Sequence, residues 1–212
     1  MRTFRIEPLP AGREPSALRM VLTLGLAGLL SGLIIVVAYH ATRSTIADYQ
    51  AEELRAAVFK VLPGVARIQR MAYLDGQLTA SEDADQAAVF AGYDVGGRLV
   101  GYAIPGEGPG FQDTIRLLYG YLPEARTVVG MEILDSRETP GLGDKIFKDA
   151  AFVANFSKLR IDPAIVAVKK GRKSAPNEID AITGATISSK AVVRIINQAN
   201  GIWVGRFGNG VE

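Results

Sequence analysis

Asp180-Ala-Ile-Thr-Gly-Ala-Thr-Ile-Ser-Ser189 is the stretch on which the reading of this chain turns, and a helix-patterned segment, residues 190–199, follows it. Gly184 and Ala185 carry almost no side chain, so another group can come close to the backbone, and glycine can take up positive φ. Thr186, Ser188 and Ser189 then fall at the N-cap and first turn of a helix, where amide N–H groups lack intrahelical partners and the dipole is positive. Such an end suits a phosphate, and it equally suits an ordinary turn and cap. A second loop built of small residues, Glu138-Thr-Pro-Gly-Leu-Gly-Asp-Lys145, runs into a helix predicted over 144–156. Two such loops can converge at one end of a sheet, or stand apart as two structural turns.

Between and before them the pattern is that of strands. Residues 67–77 and 86–105 read as strands and hairpins, with alternation over 89–95 and 98–104 around the turn signal Gly96-Gly97. Residues 114–122 and 127–136 are rich in β-branched and aromatic residues and are separated by Pro123-Glu-Ala-Arg126. Gly106-Glu-Gly-Pro-Gly-Phe111 is too rich in glycine for regular structure and is expected to be a loop. A short strand is expected over 164–170, followed by a basic turn, Lys169-Lys-Gly-Arg-Lys173, whose charges face either solvent or a phosphate or acidic lipid. The fold class is α+β, with a mainly antiparallel sheet flanked by helices.

At the N-terminal end the chemistry changes. Residues 18–39 form an apolar run long enough, at about 33 Å as a helix, to cross a hydrocarbon core. It is longer than the h-region of a cleaved signal, and Ala38-Tyr-His40 is a poor cleavage site, so an uncleaved anchor is expected. Arg2, Arg5, Arg13 and Arg19 before the span orient the N-terminus toward the cytoplasm and the remainder outside. Gly25, Gly28 and Gly32 make a small-residue stripe that would admit another membrane helix, or are ordinary membrane-helix glycines. Residues 44–62 form a helix stopped by Pro63-Gly64. The expected division is a cytoplasmic tail over 1–17, an anchor over 18–40, a stalk helix over 41–65, an extracytoplasmic domain over 66–205 and a C-terminal tail over 206–212.

Composition removes several function classes. Lys and Arg number 24 against 22 Asp and Glu, so net charge gives no nucleic-acid footprint. There is no Cys, which removes disulfides, thiolate metal sites and Cys nucleophiles, and His40 is the single His. His-based triads are thereby excluded. No strand followed by G-x-G-x-x-G marks a nicotinamide site.

Asp180-x-x-Thr183-Gly184-Ala185-Thr186 resembles the flavinylation motif of the extracytoplasmic FMN-binding domains. The order of anchor, sheet, Glu138-Thr-Pro-Gly-Leu-Gly-Asp-Lys145 loop and Thr183-Gly-Ala-Thr186 turn is similar, over nearly the whole chain, to the family of G subunits of the Rnf-type (Rsx) ion-translocating electron-transport complexes. The C subunit of the sodium-pumping NADH:quinone oxidoreductase shares both motifs and is the alternative, but the Gly143-Asp-Lys-Ile146 continuation and short stalk look more like the Rnf protein. Relatives often carry a His before the first loop; Asp135-Ser-Arg137 stands there in this chain, so no role of that His carries over.

The resemblance implies FMN joined through its phosphate to Thr186, with Asp180 part of the signal read by a Mg-dependent flavin transferase that uses FAD. Thr183, Gly184 and Ala185 are expected on the phosphate side. Leu142 and the backbone of Thr139, Gly141 and Gly143 are expected against the ring. Lys145, otherwise a solvated helix-start lysine, is expected near the flavin. No catalytic residue and no metal ligand is implied. The function implied is an electron relay on the outer face of a bacterial inner membrane, without turnover of its own, among the membrane, Fe–S and flavin subunits of a complex that couples ferredoxin and NAD to Na⁺ or H⁺ movement. A flavin-free, membrane-anchored assembly module is the reading from another class.

Overall fold

The computed structural model describes residues 16–81, 83 and 86–209. Arg2, Arg5 and Arg13, almost all of the expected cytoplasmic tail and the last three residues lie outside the described residues. The chain divides into two compact units between Gln50 and Ala51.

The first unit is the opening of helix α1 (Ala17–Val61). Its residues Ala17–Thr42 are long and apolar enough to cross a membrane, with mean hydropathy 2.5 and none of the most apolar window buried in protein. Leu24, Leu29 and Ile35 all stand exposed. Burying apolar side chains in lipid rather than against protein explains a helix that is hydrophobic all round.

From Ala51 onward the chain folds around a seven-stranded sheet, with spatial order β2-β1-β3-β4-β5-β6-β7 and every pairing antiparallel. Its strands are β1 (Arg67–Leu74), β2 (Gln77–Ala80), β3 (Ala88–Tyr93), β4 (Leu99–Pro109), β5 (Thr114–Leu122), β6 (Thr127–Ser136) and β7 (Leu159–Arg160). Side chains alternate between two faces. On one face Ile104, Leu117 and Tyr119 pack with Val192, Ile195 and Ile196 of helix α4 (Thr186–Trp203). On the other, Ala103 and Leu118 pack with Ala57, Val58 and Val61 at the end of α1.

Glycines make both packings possible. A Cβ on Gly120 would lie 2.1 Å from the Val61 carbonyl oxygen, and one on Gly130 would lie 2.9 Å from it, so the two strands form a notch for the helix end. The helix stops there because Pro63 cannot extend it and Gly64 turns the chain at φ +89°.

The segment expected to be a loop at 106–111 is instead largely strand: β4 runs to Pro109, with Gly106 opposite Leu117 and Gly108 opposite Ile115. The glycines there answer a packing need rather than a turn. A Cβ on Gly106 or Gly108 would stand 2.8 or 2.9 Å from the Ile195 side chain, so their absence of one lets α4 lie against the strand.

Three other expectations shift. The helix expected over 144–156 is broken into α2 (Lys145–Lys148), α3 (Ala150–Ala154) and a 3₁₀ turn, Asn155–Ser157. Asp149 leaves the helical region at ψ 101° and its side chain accepts from the Ala151 and Phe152 amides, capping a new helix. Asp180 and Ala181, expected within a turn, instead end strand β9 (Glu178–Ala181), parallel to β8 (Val166–Lys169) in a small separate sheet. The tail expected from residue 206 is packed: Phe207 is buried and stacks on Tyr102 with ring centroids 4.1 Å apart.

Candidate functional site

The turn between β9 and α4 is shaped by its own hydroxyls. Ser189, fully buried, accepts from the Ile182 amide at 3.1 Å and donates to the Ala185 carbonyl at 2.9 Å. Between those anchors the chain reverses through Gly184 at φ +84°, in the left-handed region that glycine enters without strain. Ala185 is the N-cap, at φ −131°, and supplies no capping side chain. Thr186 is therefore the first helical residue. It is exposed, and its hydroxyl lies 3.5 Å from the Ile182 carbonyl oxygen. The amides of the first helical turn have no carbonyl partners within the helix and carry the positive end of an 18-residue dipole.

The loop after β6 meets this turn. It reverses at Gly141, φ +78°, and places Leu142 with its Cδ2 3.8 Å from where a Cβ on Gly184 would be. Between them opens a cleft of about 320 Å³ lined by Thr139, Leu142 and Gly143 from one loop and by Gly184, Ala185, Thr186, Ile187 and Ser188 from the other, with Phe111 closing a third side. Phe111, Leu142 and Ile187 keep 65, 49 and 57% of their surface exposed there. A half-open cleft with apolar walls and a helix N-terminus at one end takes a flat aromatic group joined to an anion.

Glu138 ties the three segments together. It is 5% exposed, and one oxygen accepts from the Phe111 and Gln112 amides at 2.9 and 3.0 Å. The other accepts from the buried Ser188 hydroxyl in a short hydrogen bond. Burial pushes the Glu138 carboxyl up, but the donors from Ser188, Gln112, Phe111 and Asp113 outweigh it and hold the pKa below the ordinary value. Thr139 reinforces the junction, its hydroxyl donating to Gln112 Oε1 at 2.9 Å. Nearby Asp144 is buried against Lys148 at 2.7 Å, and that hydrogen bond lowers its pKa.

Of the residues singled out in the sequence, Thr139, Leu142, Gly143, Gly184, Ala185 and Thr186 line the cleft. Gly141 and Thr183 sit in the two turns behind it, and Lys145 opens α2; none of the three is among the lining residues. Asp180 lies elsewhere. Its carboxylate accepts from the Gly171 amide at 2.8 Å, and it lines a separate hollow of about 60 Å³ with Asp149, Asn155 and Lys170. The lining by Phe111 and Ile187, the bond from Ser188 to Glu138 and the pinning role of Glu138 were not read from the sequence. Glu138 heads the first loop motif and Ser188 follows the second, but nothing local marks them as partners.

Residues 110–200 match the family model of the FMN-binding domain. The chain is 33% identical over 204 residues to the G subunit of the ion-translocating oxidoreductase complex of Cereibacter sphaeroides, covering 93% of this chain and 84% of that protein. It is 31% identical over 166 residues to the G subunit of the Na⁺-translocating ferredoxin:NAD⁺ oxidoreductase complex of Acetobacterium woodii, covering 76% and 78%. Its fold is similar to that in the crystal structure of Shewanella oneidensis NqrC, with a TM-score of 0.65 at 18% identity over 76% of this chain and 99% of that one.

Proposed function

Since the chain belongs to the family of G subunits of the ion-translocating oxidoreductase complexes, we propose that its cleft holds FMN joined to Thr186 through a phosphodiester and serves as a relay on the outer face of the membrane. The chain is a membrane electron-relay subunit with an FMN-binding domain. The residues present fit FMN. The exposed hydroxyl of Thr186 stands at the helix end where an anion is stabilised, Gly143 and Gly184 leave the floor bare, and Leu142 and Phe111 offer apolar walls.

The meeting of both glycine loops around Thr186 is the observation that carries this reading. FMN when bound supplies electron transfer through its isoalloxazine ring. The protein's own residues would orient it: the first turn of α4 would hold the phosphodiester's remaining charge, and Leu142 and Thr139 would flank the ring. An unaided threonine hydroxyl is a weak nucleophile, so attachment falls to a flavin transferase, with Thr186 Oγ1 displacing AMP from FAD and giving up its proton to that enzyme. Asp180, outside the cleft, is free to act in recognition by the transferase rather than in holding the flavin. Partner subunits with Fe–S and flavin centres would exchange electrons with it while the complex moves Na⁺ or H⁺.

Denatured full-length protein from a flavinylating host, viewed in a gel under ultraviolet light, tests the proposal. A fluorescent band that disappears in Thr186→Ala and Thr186→Val, with an intact mass higher than the sequence mass by FMN less water, is the expected result. A band that survives both substitutions refutes attachment at Thr186. Absence of flavin from the wild-type chain would leave the assembly-module reading.

A further inference from the structure

The other buried carboxylate among the described residues, Asp144, is paired with Lys148, and the half-buried Asp94 is paired with Arg98. Glu138 differs. It is 5% exposed, and each donor that reaches it is neutral: backbone amides, those of Phe111 and Gln112 foremost, and the Ser188 hydroxyl. The carboxylate therefore keeps its full negative charge inside the protein.

Its position relative to the cleft is fixed by two lining residues. Ser188 lines the cleft and donates directly to Glu138 Oε2. Gly143 also lines it, and a Cβ there would come within 2.7 Å of the same oxygen. Thus the charge lies directly behind the Gly143 backbone and the Ser188 hydroxyl, both of which line the cleft. The buried setting weakens screening by water and salt.

Resting on the reading that FMN occupies this cleft, we propose that Glu138 is a positioning residue whose buried negative charge, held beneath the cleft floor by Ser188 and the Phe111 and Gln112 amides, makes the bound flavin harder to reduce. Bringing an electron into the cleft sets a second negative charge beside the first, and the repulsion falls on the reduced state alone. The same three hydrogen bonds hold the Phe111 turn against the cleft, so geometry and charge reside in one side chain, and a test has to separate them.

The measurement is a spectroelectrochemical titration of flavin in the full-length, detergent-solubilised chain, with covalent loading read by in-gel fluorescence. Glu138→Gln preserves shape and removes charge, and should ease reduction about tenfold per electron, a rise of about 59 mV for a one-electron step. Ser188→Ala keeps the charge and removes the hydroxyl dipole that shields the cleft from its field, so its potential should fall below wild type. An outcome in which Glu138→Gln leaves the potential unchanged or lower overturns the inference. Should Glu138→Gln fail to load, Ser188→Ala decides alone, and a potential equal to or above wild type overturns it. Fluorescence that persists in Thr186→Ala would instead defeat the underlying assignment of the cleft, an outcome distinguishable from either potential shift.

Discussion

Gly143→Ala is a sharp test of the geometry at this junction. The backbone of Gly143 is not in the left-handed region, so alanine meets no conformational penalty there and any cost is steric. The new Cβ would lie 2.7 Å from Glu138 Oε2, 2.8 Å from Glu138 Cβ and 3.0 Å from Ser188 Oγ. A flexible surface carboxylate would swing away, but Glu138 is held by the Phe111 and Gln112 amides on one oxygen and by Ser188 on the other. Relief requires overpacking, about 1–3 kcal/mol, and the loss of one hydrogen bond to a charged acceptor, about 1.5–3 kcal/mol. The expected destabilisation is roughly 2.5–6 kcal/mol. Gly201→Ala, in α4 with nothing within 4 Å of the added carbon, is the control and should stabilise by about 0.5–1 kcal/mol. Urea unfolding of the full-length chain followed by the fluorescence of Trp203, the single and buried tryptophan, reads both. A Gly143→Ala midpoint equal to wild type would refute the claim that Glu138 is locked.

Gly120→Ala should lift the end of α1 from the sheet, because its Cβ meets a backbone oxygen at 2.1 Å rather than a movable side chain; a loss of about 1–3 kcal/mol or more, with faster amide exchange over 57–62, is expected, and unchanged exchange would contradict it. Asp180→Asn keeps an acceptor for the Gly171 amide and should leave stability within about 1 kcal/mol while lowering flavin loading; normal loading would remove the Asp180 charge from the transferase signal. Acid should narrow the stability gap between wild type and Glu138→Gln. The folded pKa of Glu138 lies below its ordinary value of 4.5, so its contribution is complete above that pH and is lost as pH falls through the folded value. Thermal melts at neutral pH and at a pH below that ordinary value check this, and a gap constant with pH would count against an ionised Glu138.

Much of this protein is legible without coordinates, wherever the cause is local. The length of the apolar run over 18–39 carries the membrane helix, since crossing a bilayer is a matter of length and hydropathy. Alternation and turn residues carry β3 through β6, since pleat and turn chemistry act over a few residues. The two glycine loops, and Thr186 at a helix start, stand out for the same reason.

What the tertiary structure alone decided involves residues far apart in the chain. Gly106 and Gly108 read locally as loop formers, and become strand because Ile195 of α4 occupies the space their side chains would need. Asp149 reads as mid-helix until its carboxylate caps a new one. Glu138 reaches Phe111 across 27 residues and Ser188 across 50, and no local pattern pairs them. Sequence by itself determined which segments turn, span and alternate, because those preferences belong to neighbouring residues. The cleft and the charge beneath it arise only when the sheet brings the β4–β5 turn, the loop after β6 and the start of α4 together, so that backbone amides and one hydroxyl converge on a single buried carboxylate.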